Sequence, residues 1–198
     1  MAENDVTGHS LDLKPRAGAR RRELVRRTEF GLVIALLAEF LLGMAVNLFV
    51  KIPESHPGAK PPDFLNGVVQ SVGWAVTDGG LWLALHAGLG LLLTLGALAA
   101  LLKSIGSHDR TALTTSAVGF VSVLEAGFNG GSFLNYGEDY SSMIMASLFA
   151  VATGSYAFGV YLLGRRERQP QVVAGESRTR RTPGFRRHKP PSRPPAGP

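Results

Sequence analysis

Four long apolar blocks, separated by short polar segments, constrain the fold of this chain more than any other feature. The first, EFGLVIALLAEFLLGMAVNLFV, runs from Glu29 to Val50, and as a helix it would reach roughly 33 Å. A bilayer's hydrocarbon core is about 30 Å thick, so this block is long enough to cross it. We predict spanning helices at about 29–50, 80–102, 112–134 and 141–163. The expected fold class is an all-α membrane protein, an up-down-up-down four-helix transmembrane bundle with disordered basic termini.

The two ends of the chain have a different composition from the apolar blocks. Residues 1–28 hold seven Lys and Arg residues, and residues 165–198 hold ten together with seven prolines. Such segments bury too little apolar surface to fold alone, so we predict a disordered basic arm and a disordered Arg/Pro-rich tail. The charges next to the spans, Arg26, Arg27, Arg165 and Arg166, are expected to face the lipid headgroups.

The distribution of basic residues predicts the orientation. With both termini in the cytoplasm, the arm, the 103–110 turn and the tail place seven, two and ten basic residues inside, against only Lys51 and Lys60 outside. This asymmetry follows the positive-inside rule and predicts a multi-pass protein of the cell inner (cytoplasmic) membrane. It also explains the net charge of +6 without nucleic-acid binding.

The long loop between the first two spans contains one further helical pattern, at residues 64–76. Its apolar residues recur at helical spacing, but the segment is too short to span a bilayer. Trp74 suits the headgroup zone, which favours a helix lying in the outer interface. A cap packed over the mouth of the bundle is the alternative.

Small and polar residues recur along single helix faces. In the first span they form an i, i+4 line that we expect to face the interior: Gly31, Ala35, Glu39, Gly43 and Asn47. In the third span the polar residues are also expected to share one face: Thr115, Ser122, Glu125, Asn129, Ser132 and Tyr136.

Three ionisable residues lie within the predicted spans: Glu39, His86 and Glu125. Such groups are costly in lipid and are functional candidates. Counted from the outer ends of their spans, they lie about 16, 9 and 13 Å deep. We predict one intramembrane polar site that also includes Asn47 and Asn129, with Glu125 coupled to His86.

Several kinds of chemistry fit these residue types. A proton relay would use both carboxyl groups and the imidazole. A metal site would use the imidazole and the two carboxylates, with His86 and Glu125 as the first ligands, and His86 could ligate a haem alone. In a structural role, the carboxyl groups would hydrogen-bond across helices. The chain has no cysteine, which excludes disulfides and cysteine-ligated metal centres.

The segment GFNGGSFLNYGEDYSSMIMA, from Gly127 to Ala146, resembles small uncharacterised bacterial four-span membrane proteins. The resemblance extends loosely over spans two to four and implies no activity.

The function that these features favour is an accessory subunit or a small-ligand-binding module, with a polar site near the outer face. A proton-coupled transporter or a membrane redox component is the alternative. Expected partners are the lipid bilayer and either another membrane protein or further copies of this chain. A non-enzymatic role is favoured, and no cofactor is identified.

The orientation can be tested with single cysteines, because the chain has none of its own. A Glu138→Cys variant should react with a membrane-impermeant maleimide in intact cells, whereas Gly175→Cys should react only after lysis. Labelling of Gly175→Cys from outside would contradict the predicted orientation.

Overall fold

The fold is known from a computed structural model, which describes residues 13–179 and the side-chain surroundings of residue 18 and residues 20–165. Within these residues the protein has five helices and no strand. The helices are α1 (Leu13–Phe49), α2 (Phe64–Thr77), α3 (Gly80–Ser107), α4 (Arg110–Tyr136) and α5 (Asp139–Thr179).

Four of these helices are long and apolar enough to cross a membrane, which agrees in number with the four predicted spans. The apolar stretches are Arg20–Phe49, Gly80–Ser107, Arg110–Tyr136 and Asp139–Arg165. Many large apolar side chains on them are exposed, including Leu41, Leu48, Leu92 and Met143. An apolar exterior of this extent is suited to lipid. The protein is therefore a multi-pass membrane protein.

All four long helices contribute to one core. Its buried residues are Leu32 and Leu36 from α1, Leu93, Ala97 and Ala100 from α3, Val123 from α4, and Ala152 and Tyr156 from α5. Small residues are frequent here because helices in lipid are held together by close packing. At Gly119, for example, an added Cβ would overlap the ring of Tyr156.

The buried face of α1 differs from the predicted i, i+4 line. The residues that turn inward are Val25, Glu29, Leu32, Leu36 and Glu39, whereas Gly31 and Asn47, at the ends of the predicted line, are exposed. A helix turns about 100° per residue, so each step of four residues overshoots a full turn by about 40°. Over four steps the line rotates away from the core, and the prediction was wrong at both ends.

Helix α1 begins 16 residues before the predicted span, so residues 13–28 are helical where a disordered arm was expected. Side-chain hydrogen bonds join this part of α1 to the last turns of α3. Arg21 Nη1 donates to the Gly106 carbonyl at 2.7 Å, and Lys103 Nζ donates to Thr28 Oγ1 at 3.1 Å. These contacts define the α3–α4 end of the protein. Helix α5 likewise continues beyond the predicted span to Thr179, while the rest of the predicted disorder, at 1–12 and 180–198, lies outside the described residues.

The predicted lipid-facing charges lie near this end. Arg26 and Arg27 both pair with Glu23 one turn earlier on α1. The Arg165 guanidinium lies over the Tyr161 ring, 5.7 Å from its centroid. The side chain of Arg166 is outside the described part of the chain.

At the opposite end, α2 packs against α3 and α4, which favours the cap over a helix lying in the interface alone. Asp63 begins α2 by accepting a hydrogen bond from the Asn66 main-chain N–H at 2.8 Å. Gly67, Ser71 and Ala75 form the buried face of the helix. We call this the α2 end of the protein.

Asn135 joins the cap to the end of α4. Its side chain is buried, and its amide nitrogen, oriented toward the surrounding carbonyls, donates to Gly58 O at 3.1 Å and Gly67 O at 3.2 Å. Ser71 Oγ lies 2.6 Å from the same amide group, and the Lys60 main-chain N–H donates to Asn135 O at 2.8 Å. The loop before α2 is thus held to α4 by hydrogen bonds of the Asn135 side chain and main chain.

His56 provides a second attachment for this loop. Its ring stacks on Trp74, with centroids 4.4 Å apart, and its Nε2 lies 3.1 Å from the Leu134 carbonyl oxygen. Trp74, predicted to lie in the headgroup zone, is therefore also part of the cap.

We predict that Gly67→Ala destabilises the cap. A Cβ at this position would overlap Pro61 and come within 2.9 Å of the Asn135 amide group, and such overpacking typically costs about 1–3 kcal/mol. Thermal unfolding in detergent would measure the loss. Gly73→Ala is the matched control on α2, because a Cβ there meets no described atom within 4 Å. Equal melting temperatures for the two variants would contradict this packing.

Candidate functional site

Glu39 and His86 are brought together between α1 and α3. Glu39 is only 9% exposed, and its Oε1 lies 2.9 Å from His86 Nδ1. Glycines face both side chains: a Cβ at Gly90 would be 3.3 Å from Glu39 Oε1, and one at Gly43 would be 3.3 Å from His86 Cε1. The small residues of both helices therefore make room for this pair.

The contact between Glu39 and His86 is close but is not a hydrogen bond. The two atoms are at ion-pairing distance, but their alignment is not that of a hydrogen bond, and Glu39 Oε2 has no hydrogen-bond partner among the described residues. At this distance a protonated imidazole would form an ion pair with the carboxylate.

Glu125 does not join this pair. Its side chain is exposed on α4 and lines a pocket of about 370 Å³ together with Phe64, Phe128, Asn129 and Ser132. Asn129 Nδ2 donates to the main-chain oxygen of Glu125 at 2.9 Å rather than to its carboxyl group. The expected contact between Glu125 and His86 is replaced by the contact between Glu39 and His86.

The predicted polar site is therefore divided. Glu39 and His86 form one part, Glu125 and Asn129 form another, and Asn47 is exposed near the end of α1. The depth of a residue along its helix predicted convergence, but the rotation of α4 turns Glu125 outward. Within the third span, Thr115 and Ser122 are buried as expected.

The donor set for a metal is correspondingly small. Among the described residues, no group of three or more His, Asp or Glu side chains is placed to hold a metal ion. Glu39 and His86 supply two donors, whereas a catalytic zinc site usually has three protein ligands. His86 and Glu125, the expected metal ligands, lie in different parts of the protein.

A second buried carboxyl group lies near the α3–α4 end. Glu29 is fully buried, and its Oε1 accepts hydrogen bonds from Thr115 Oγ1 at 2.8 Å and Ser116 Oγ at 3.0 Å. The Ser155 hydroxyl donates to the Thr115 carbonyl at 3.0 Å, which ties α5 to the same place. Glu29 is thus enclosed by α1, α4 and α5.

Glu29 is not among the predicted site residues because it is the first residue of a predicted span, where a charged side chain can reach water. A signal was present. Glu29 and Glu39 lie on one line with Leu32 and Leu36 at steps of three and four residues, which is the repeat of a buried helix face. Its partners on α4 could not be identified, since they are more than 80 residues away in the chain.

Comparison with protein-family models, with curated proteins and with solved structures finds no match for this chain. The resemblance of residues 127–146 to bacterial four-span proteins stays a prediction.

The pairing of Glu39 with His86 can be tested by double-mutant cycles. Stability measured for Glu39→Gln, His86→Gln and the double variant should give a coupling energy of about 0.5–3 kcal/mol, as for residues in contact. The matched cycle uses Glu125→Gln with His86→Gln, which share no contact and should be additive within about 0.5 kcal/mol. Coupling of His86 to Glu125 but not to Glu39 would contradict the structure.

Proposed function

We propose that this membrane protein is an accessory subunit of a membrane complex and binds a transmembrane helix of its partner at the Glu125 side of α4. The supporting observation is the exposure of Glu125. It is the sixteenth residue of the apolar stretch Arg110–Tyr136, about 22 Å from one end and about 16 Å from the other. A charged side chain at the centre of a membrane helix costs about 2.5–3.5 kcal/mol when it faces lipid. Contact with another protein that shields Glu125 from lipid would therefore be favourable.

The residues around Glu125 suit a contact between helices. Phe64 and Phe128 provide apolar area, while Asn129 and Ser132 provide hydrogen-bonding groups. Close packing combined with a few polar contacts is what holds membrane helices together. We call these residues the Glu125 surface.

Charge complementarity indicates the chemistry of the partner. A transmembrane helix carrying a Lys or Arg would neutralise Glu125 and satisfy both carboxylate oxygens. The four predicted spans of this chain contain no Lys or Arg, so a second copy could not supply that cation at this depth. The proposed partner is therefore a different membrane protein with a basic residue in one of its spans.

Photo-crosslinking in native membranes tests this assignment. A photoreactive phenylalanine analogue at Phe128 should give an adduct with one other polypeptide that carries a Lys or Arg within a span. The same analogue at Leu92, an exposed position on α3, should give none. Glu125→Leu should reduce the adduct at least about tenfold, because a buried cation on the partner would lose its counter-charge.

Thr114→Leu is the matched control, since Thr114 is another exposed polar residue of α4, and it should leave the adduct unchanged. Replacing the partner's basic residue by Leu should reduce the adduct as strongly as Glu125→Leu. An adduct with a second copy of this chain, or with lipid alone, would contradict the proposal.

A further inference from the structure

The carboxyl group of Glu29 has two unlike oxygens. Both hydroxyl partners, Thr115 and Ser116, contact Oε1, while Oε2 has no hydrogen-bond partner within the described part of the chain. An ionised carboxylate buried in this way would leave a charged oxygen uncompensated, which is strongly unfavourable. A neutral carboxyl group fits the site, with Oε1 as the carbonyl oxygen and the proton on Oε2.

The α5 side of the site is shaped around this oxygen. A Cβ at Gly159 would overlap Glu29 Oε2 and come within 2.7 Å of Thr115 Oγ1. Tyr156 lies one turn earlier on the same helix, and its hydroxyl is also buried and without a hydrogen-bond partner among residues 20–165. Two buried polar groups thus have unused hydrogen-bonding capacity at this place: Glu29 Oε2, which packs against α5, and the hydroxyl of Tyr156, which belongs to α5.

A groove between α4 and α5 adjoins the site. The groove, of about 380 Å³, is lined by Thr115 and Ser155 and extends to Arg110 at the first residue of α4. Thr115 belongs to both places, because its hydroxyl contacts Glu29 and its side chain forms part of the groove wall. With water in the groove, a rotation of this hydroxyl would connect that water to the carboxyl group.

Charged and titratable groups on the helices around Glu29 have contacts of their own. On α1, Arg26 pairs with Glu23, and from α3 Lys103 donates to Thr28. From α4, Arg110 lies in the groove, and α5 presents the uncharged phenol of Tyr156. The recorded partners of the Glu29 carboxyl group itself are hydroxyls.

From this arrangement we infer that Glu29 is a proton-binding site which exchanges its proton with water at the α3–α4 end. In the binding step, an O–H bond forms on Oε2 and a hydronium ion in the groove becomes water. The reverse step returns the proton to groove water. Hydroxyl groups hold the carboxyl group in place in both states. This site lies apart from the Glu125 surface and does not depend on the proposed partner.

Infrared difference spectroscopy of the full chain in liposomes provides the test. The carboxylic C=O stretching band of wild type minus Glu29→Gln should be present at neutral pH, disappear as the pH rises, and return when the pH is lowered. Glu54→Gln, which removes an exposed carboxyl group from the loop before α2, should leave this band unchanged. Absence of the difference band, or a band that does not respond to pH, would overturn the inference.

Ser116→Ala offers a second measurement that keeps the carboxyl group, in case Glu29→Gln folds poorly. Hydrogen bonds to a carboxylate are stronger than those to a neutral acid, so losing one donor should raise the pH midpoint of the band by about one unit. An unchanged midpoint would contradict the assignment to Glu29.

Discussion

The close approach of α5 to α1 and α4 is the contact on which the arrangement of buried polar groups depends. Lipid gives no hydrophobic drive between helices, so they remain together only where their backbones come close enough to pack densely or to share hydrogen bonds. Gly119 admits the Tyr156 ring, and Gly159 admits the Glu29 carboxyl group. A methyl group at either position would separate the helices and expose groups that are now buried.

Helix α1 carries two of the buried carboxyl groups. Glu29 and Glu39 lie on the same buried face, ten residues or about 15 Å apart. Leu32 and Leu36 lie between them within the apolar core. Because an apolar layer interrupts any chain of hydrogen bonds, the two carboxyl groups form separate sites, one with hydroxyl partners and one with an imidazole.

The helical architecture could be predicted from the sequence because only helices satisfy all backbone hydrogen bonds within a single apolar segment. The full lengths of the helices could not be predicted in this way. The early start of α1 is accompanied by contacts such as that of Arg21 with Gly106, which joins residues 85 positions apart in the chain.

The candidate sites could also be predicted only in part. Residue type and depth identified Glu39, His86 and Glu125 as unusual. Which of these side chains meet depends on how each helix is rotated about its axis. A small error in the assumed angle per turn accumulates over the length of a span. The links of Asn135 to Gly58 and Ser71 are likewise properties of the folded chain. No periodic pattern in the sequence indicates them.

The direction in which each carboxyl group faces separates the two functional hypotheses. A carboxyl group inside the bundle can be matched by the chain's own hydroxyl and imidazole groups, as at Glu29 and Glu39. The Glu125 carboxyl group is exposed on α4, where the described part of the chain provides no hydrogen-bond donor for it. The inward carboxyl groups of Glu29 and Glu39 therefore favour a property of this protein alone. The outward carboxyl group of Glu125 favours association with another membrane protein. Since the two groups of residues do not overlap, loss of one property leaves the structural basis of the other intact.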